Sequence, residues 1–237
     1  MKLNIPHKNS SLKANVVVGD EGKKCVVFLC GGSTSIGKER FDTWQNDLGK
    51  IGVSSVSFDY TGVPGTRDVV KNGSLQSRME EVESVLSWVK SEFKTTEIIL
   101  YGVSMGGYIA LGISASFPKD ISALILQAPA AYAQLSHNLP FDTAFTAAIK
   151  QPRSWNDSFS FFWIRKFKQP ILFFQLERDE VIPDDITKQY ITIGNDKPEF
   201  IHVHLDKAVH KCWSDSEDDC RTRNTVFTEL IKFIKKL

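Results

Sequence analysis

The chain has 237 residues, 42% hydrophobic and 24% charged, with 29 Lys and Arg against 28 Asp and Glu for a net charge of +1. This length and apolar content suit one α/β domain with a substantial core, and the near-neutral balance excludes a general field for nucleic acid or an anionic membrane. Residues 1–22 lack the apolar h-region of a secretory signal and no stretch reaches membrane-span length, which points to a soluble, cytoplasmic protein whose Cys25, Cys30, Cys212 and Cys220 are free thiols.

Val16 to Val18 and Cys25 to Leu29 read as strands on either side of the turn-like Gly19, Asp20, Glu21 and Gly22, the pattern of a hairpin entering a sheet. Phe41, Trp44, Leu48 and Ile51 recur at helical spacing and precede the β-prone Val53 to Tyr60, giving a strand-helix-strand unit. After a loop from Thr61 to Gly73, Leu75, Met79, Val82, Leu86, Val89 and Phe93 mark one face of a long helix. Ile98 to Tyr101 is the next strand, and Gly107 to Ala115 continues as a helix that ends near Phe117 and Pro118. Ile121 to Leu126 is another short strand, closed by Gln127, Ala128 and Pro129.

Between about residues 130 and 168 the alternation stops. Phe141, Phe145, Trp155, Phe159, Phe161, Phe162 and Trp163 lie scattered among polar residues, the pattern of a cap-like insertion over one end of the sheet. Pro170 to Leu176 resumes the strands, Asp184 to Ile193 reads as a short helix, and Phe200 to Leu205 as the last strand. Val226, Phe227, Leu230, Ile231, Ile234 and Leu237 line a closing helix. This order predicts a mostly parallel sheet with helices on both faces. In such a sheet, ligand sites lie at the carboxyl ends of the strands.

One such end carries Gly102, Val103, Ser104, Met105 and Gly106, a G-x-S-x-G sequence between a strand and a helix. A serine forced into a sharp turn there projects its hydroxyl clear of the sheet, and its neighbours two residues away must be small. The hydroxyl is a weak nucleophile at neutral pH and needs a base, which in turn needs a group to fix its tautomer. Of the five histidines, His7 is N-terminal, His137 lies in the insertion, and His202 and His204 fall within the last strand. His210, in the loop after that strand, is the candidate base. Asp179, a few residues beyond the strand ending at Leu176, is the candidate acid by the serine, acid, histidine order expected for this motif. Glu177, Glu180, Asp184 and Asp185 are nearby alternatives.

These residues resemble the α/β-hydrolase superfamily along almost the whole chain. The matching marks are the strand end Phe28, Leu29, Cys30, Gly31, Gly32, the strand end Phe58 to Gly62, and the Gly102 to Gly106 elbow. Asp179 with Val181, Ile182 and Pro183 is similar to the acid loop, and Asp206 to His210 to the histidine loop. The resemblance implies that Ser104 attacks an acyl carbonyl, His210 transfers its proton, Asp179 orients the imidazolium, and water deacylates the enzyme. It also implies an oxyanion hole from the amide of Met105 and a second amide, Gly32 first and Ser33 second. The chain departs from many relatives in carrying Cys30-Gly31 where they have a His-Gly pair.

Two other readings compete. His202 and His204 share one strand face like part of a metallohydrolase signature, but residue 207 is Lys and no second His or Cys cluster accompanies them. A non-catalytic ligand-binding member of the same fold is the second alternative. The expectation is a serine hydrolase, most simply a carboxylesterase acting on an ester or thioester of a small to medium acyl group, with no cofactor, metal or nucleic acid. Acyl preference and oligomeric state are not legible in the residues.

Overall fold

The computed structural model describes residues 1–19, 23–93 and 97–237; the side chain of Arg67 also lies outside the description. Its strands are β1 (Lys2–His7), β2 (Ser10–Val17), β3 (Lys24–Leu29), β4 (Ser54–Phe58), β5 (Glu97–Val103), β6 (Ile121–Gln127), β7 (Ile171–Arg178) and β8 (Phe200–Val209). The helices are α1 (Asp42–Lys50), α2 (Arg67–Val70), α3 (Leu75–Phe93), α4 (Met105–Ser116), α5 (Thr143–Lys150), α6 (Phe159–Lys166), α7 (Asp184–Asn195) and α8 (Glu217–Ile234).

The strands form one 8-stranded sheet in the order β1-β2-β4-β3-β5-β6-β7-β8. β1 with β2 and β2 with β4 are antiparallel, and every pairing from β4 onward is parallel. Strands covered on both faces must be apolar on both faces. Val26, Val27, Ile99, Leu100, Leu124 and Ile125 accordingly have no exposure. Helices α3, α4, α6 and α7 pack in series along one layer. In the other layer, α1 and α8 meet through Trp44 and Phe227, whose rings stack at 5.5 Å. Among the described residues, no helix is long and apolar enough to cross a membrane.

The expected hairpin between Val16 to Val18 and Cys25 to Leu29 is not formed. β2 instead makes a hairpin with β1, turning at Lys8 with φ 48°, and its other edge pairs with β4. β3 lies beyond β4, so the connection after β2 crosses to the far side of that strand; Asp20, Glu21 and Gly22 lie outside the described residues. The sequence signal for β1 is weak because KLNIPH offers two apolar residues and a proline, features of an edge strand. The insertion contains α5, α6 and two short 3-10 segments, while α8 starts well before its apolar stripe, capped by Ser216 through the amide of Asp219 (3.3 Å).

Within the insertion, His137 ties the chain to α3 and α4. Its Nε2 bonds Gln76 Oε1 at 3.0 Å and its Nδ1 bonds the Tyr108 hydroxyl at 3.1 Å. Burial lowers its pKa from the ordinary 6.5, so the unfolded chain takes up the proton more readily than the folded one. The contribution is therefore intact above about pH 6.5 and declines as pH falls below it. Urea unfolding between pH 8 and pH 5 should show stability falling with acid, and His137→Gln should flatten that part of the profile.

Candidate active site

Ser104 sits between β5 and α4 with φ 54° and ψ −117°, a backbone conformation that L residues rarely adopt. The elbow is held by the Ser104 amide donating to Gln127 O (3.0 Å) and by Ser104 O accepting from the amides of Gly107 and Ala130, each at 3.0 Å. The glycines are required by close approach. A Cβ at Gly102 would lie 2.7 Å from Gly107 Cα, and one at Gly106 would lie 2.7 Å from the Leu29 carbonyl carbon. Small residues therefore let α4 descend onto β3 and β5.

Asp179 directly follows β7, and His210 directly follows β8. The pairing Leu176 with Leu205 gives way to Arg178 with Val209, so β8 spends extra residues and brings His210 alongside Asp179. The segment Asp206 to Val209, expected in a histidine loop, is thus still strand; Lys207 absorbs the irregularity with φ 58°. His210 Nδ1–H donates to Asp179 Oδ2 at 2.9 Å, and Asp179 Oδ1 accepts from the amides of Val181 and Ile182 at 2.8 Å each. The alternative acids face main chain: Glu180 accepts from the His210 amide (3.1 Å) and Glu177 from the Lys207 amide (2.5 Å).

Met105 is the first residue of α4, and the first amides of a helix have no intrahelical acceptor. The loop after β3 packs on the same turn. A Cβ at Gly31 would stand 3.3 Å from Ser104 Cβ, and one at Gly32 would stand 3.7 Å from Met105 Sδ. Ser33 turns its hydroxyl into the loop, accepting from the amides of Ser35 and Ile36 at 3.2 Å. Cys30, in place of the His of many relatives, is buried, and burial pushes its thiol up to about 12.

An ion pair that the sequence did not reveal anchors this loop. Lys38 Nζ reaches Asp59 Oδ2 at 2.7 Å, with both side chains nearly sealed from solvent, and the Lys38 amide donates to Asp59 Oδ1 at 2.9 Å. Removing Asp59 leaves the buried Lys38 ammonium with the exposed Glu39 as its remaining ion partner. We expect Asp59→Asn to cost about 3 kcal/mol in urea unfolding, and the double variant Lys38→Met, Asp59→Leu to recover most of it.

Ser104, His210, Met105, Gly31 and Gly32 line one cavity of about 1440 Å³. Its walls include Val63, Val70, Tyr132, Phe141 and Phe145, the last from α5 of the insertion, together with Arg40 and Trp213. Arg40 and Trp213 also escaped the sequence reading; the available signal was an arginine just ahead of the apolar stripe that begins at Phe41. His202 and His204 are elsewhere, bonded to Gln175 Oε1 (3.0 Å) and Asp206 Oδ1 (2.9 Å). His7 lies against Ser84 at 2.9 Å. All four cysteines are free thiols.

This sheet, with its strained serine between strand and helix, defines an α/β-hydrolase fold. The family model described as serine aminopeptidase, S33, matches residues 20–155, more than half of the 237 residues, and the chain belongs to that family. Among solved structures it is similar to the esterase Est1E from Butyrivibrio proteoclasticus with ferulic acid bound, at TM-score 0.73 and 16% identity over 98% of this chain and 99% of that one. It is also similar to esterase 2 from Thermogutta terrifontis, at TM-score 0.77 and 14% identity over 100% and 94%. A monoacylglycerol lipase from Paleococcus ferrophilus aligns at TM-score 0.67 and 15% identity over 93% and 98%. At such identities the shared property is the fold. The family match includes Ser104 but stops before Asp179 and His210, so those two rest on their geometry in this chain.

Proposed function

We propose that the protein is a serine hydrolase, most simply a carboxylesterase, that cleaves an ester or thioester of a small to medium acyl group through an acyl-enzyme. The observation that carries this reading is the Asp179–His210 hydrogen bond of 2.9 Å beside a cavity shared by His210 and the strained Ser104. Ser104 Oγ attacks the carbonyl carbon, and His210 Nε2 takes its proton and returns it to the leaving group. Asp179 holds the tautomer that leaves Nε2 free. The amides of Met105 and Gly32 receive the developing oxyanion. Water, activated by His210, then releases the acid. The insertion around residues 130–168 acts as a small cap, with α5 forming a wall of the acyl site. The free thiols fit a reducing setting, and the proposed location is the cytoplasm.

The family description raises a second reading, removal of N-terminal amino acids from peptides. Such a substrate brings an ammonium group that needs a carboxylate in the cavity. Among the described residues the cavity is lined by two carboxylates: Asp142 accepts the amides of Ala144 and Phe145 at the start of α5, and Asp68 is an exposed partner of Lys71 at 3.2 Å. Ester cleavage therefore fits the lining better. Purified protein should hydrolyse nitrophenyl esters and acyl thioesters in a series from acetate to laurate, with the rate peaking at short to medium chains. Faster turnover of aminoacyl anilides would favour the peptidase, and chelator-sensitive activity surviving in Ser104→Ala would favour a metal site at His202 and His204. Absence of turnover across the series, with ligand binding retained, would favour the non-catalytic reading.

A further inference from the structure

Among the described residues, the cavity contains a cation with no ion-pair partner. Arg40 comes from the 3-10 turn Lys38–Phe41 that follows the Gly32 loop, and its guanidinium lies over the Trp213 ring at 4.5 Å from the centroid. Trp213 follows His210 by three residues, so this stacked pair joins the loop carrying the second oxyanion amide to the loop carrying the base. The indole is fixed in turn by Phe41 at 5.6 Å and Trp44 at 5.5 Å. The guanidinium therefore has a defined position rather than the freedom of a surface arginine.

The nearby carboxylates are used elsewhere, since Lys38 takes both Glu39 and Asp59. Among the described residues, no ion pair involves Arg40, and its Nε is buried without a hydrogen-bond partner. The fully buried arginine of the cavity is different, because Arg78 is neutralised by Glu81 at 3.0 Å. Burial pulls the Arg40 guanidinium below its ordinary value, yet an arginine remains protonated throughout the working pH range. A partly desolvated, unpaired cation is costly, and the planar fork of a guanidinium is matched best by a planar pair of oxygens.

Resting on the serine-hydrolase reading above, we propose that Arg40, backed by Trp213, recognises a carboxylate on the substrate, so that the preferred ester carries a free acid group besides the bond that is cleaved. Lys150 and Lys211, both exposed at the cavity, add to the attraction without fixing its geometry. Arg40 is a specificity residue in this account, and the chemical step belongs to Ser104.

Two matched ester pairs test this. One compares mono-nitrophenyl glutarate with nitrophenyl pentanoate, placing the carboxylate on the acyl side; the other compares carboxynitrophenyl butyrate with nitrophenyl butyrate, placing it on the alcohol side. In at least one pair, wild type should favour the carboxylated ester by about ten-fold or more in kcat/KM, the preference should weaken with salt, and Arg40→Gln should abolish it. Arg40→Lys should restore part of the preference, because it keeps the charge and loses the fork. Calorimetric binding of glutarate to wild type, weakened about ten-fold or more in Arg40→Gln, reads the same site without turnover. Equal losses on the charged and neutral esters, no wild-type preference in either pair, or glutarate binding indifferent to Arg40→Gln would overturn the assignment. Should Arg40→Gln fail to fold, glutarate protection of wild-type Ser104 against a fluorophosphonate, with the neutral diamide glutaramide giving none, replaces it; equal protection by the two would also overturn the proposal. Failure of the hydrolase reading has a different signature: ester turnover that survives Ser104→Ala, or no turnover of any ester, charged or neutral, whatever Arg40 does.

Discussion

Ser104→Ala is expected to lower kcat on the best ester by about 10⁶-fold while leaving the protein folded. The size follows from what the side chain supplies. Without Oγ there is no acyl-enzyme, and the remaining amides and cavity support only a slow direct attack by water. The fold should tolerate the change because the elbow is held through main-chain atoms. The Ser104 amide and carbonyl make its hydrogen bonds, to Gln127 O and from Gly107 and Ala130, each at 3.0 Å. Circular dichroism and urea unfolding close to wild type, with turnover lost, separate a chemical defect from a structural one.

Asp179→Asn should cost about 10⁴-fold in kcat. Asn retains an oxygen for the amides of Val181 and Ile182, which Asp179 Oδ1 now accepts at 2.8 Å each, so the loop keeps its shape. The amide nitrogen would then face His210 Nδ1 where a carboxylate oxygen stood at 2.9 Å. Two donors cannot share that contact, so the imidazole adopts the other tautomer and Nε2 can no longer accept the serine proton. KM should change far less than kcat, since Asp179 does not touch the cavity wall. An active Asp179→Asn protein would shift the acid role towards Glu180 or Glu177, both of which now bond only main-chain amides.

Much of this arrangement was legible in the residues because its local signals are strong. The apolar runs that became β3, β5, β6 and β7 are buried on both faces, and the helical stripe from Leu75 to Phe93 runs the length of α3. The G-x-S-x-G spacing foretold the close contacts at Gly102 and Gly106. What escaped depends on pairings between distant segments. A strand run does not state its neighbour, so β2 was expected beside β3 although it lies beside β4. Likewise the bulge that sets His210 next to Asp179 exists only in the register between β7 and β8. Sequence spacing left Glu177 and Glu180 open as acids; their carboxylates are distinguished by what they face. Lys38 with Asp59, and Arg40 with Trp213, carry no local motif at all, because each partner is separated from the other by many residues and acquires its meaning through burial.

The central claim is that Ser104 is the activated nucleophile, and labelling with a serine-directed fluorophosphonate, followed by mapping of the adduct, tests it most directly. The account predicts one rapid adduct on Ser104 of the folded protein, greatly slowed in His210→Ala and absent in Ser104→Ala. An adduct on another residue, or a folded, ester-cleaving protein in which Ser104 stays unmodified, would contradict it.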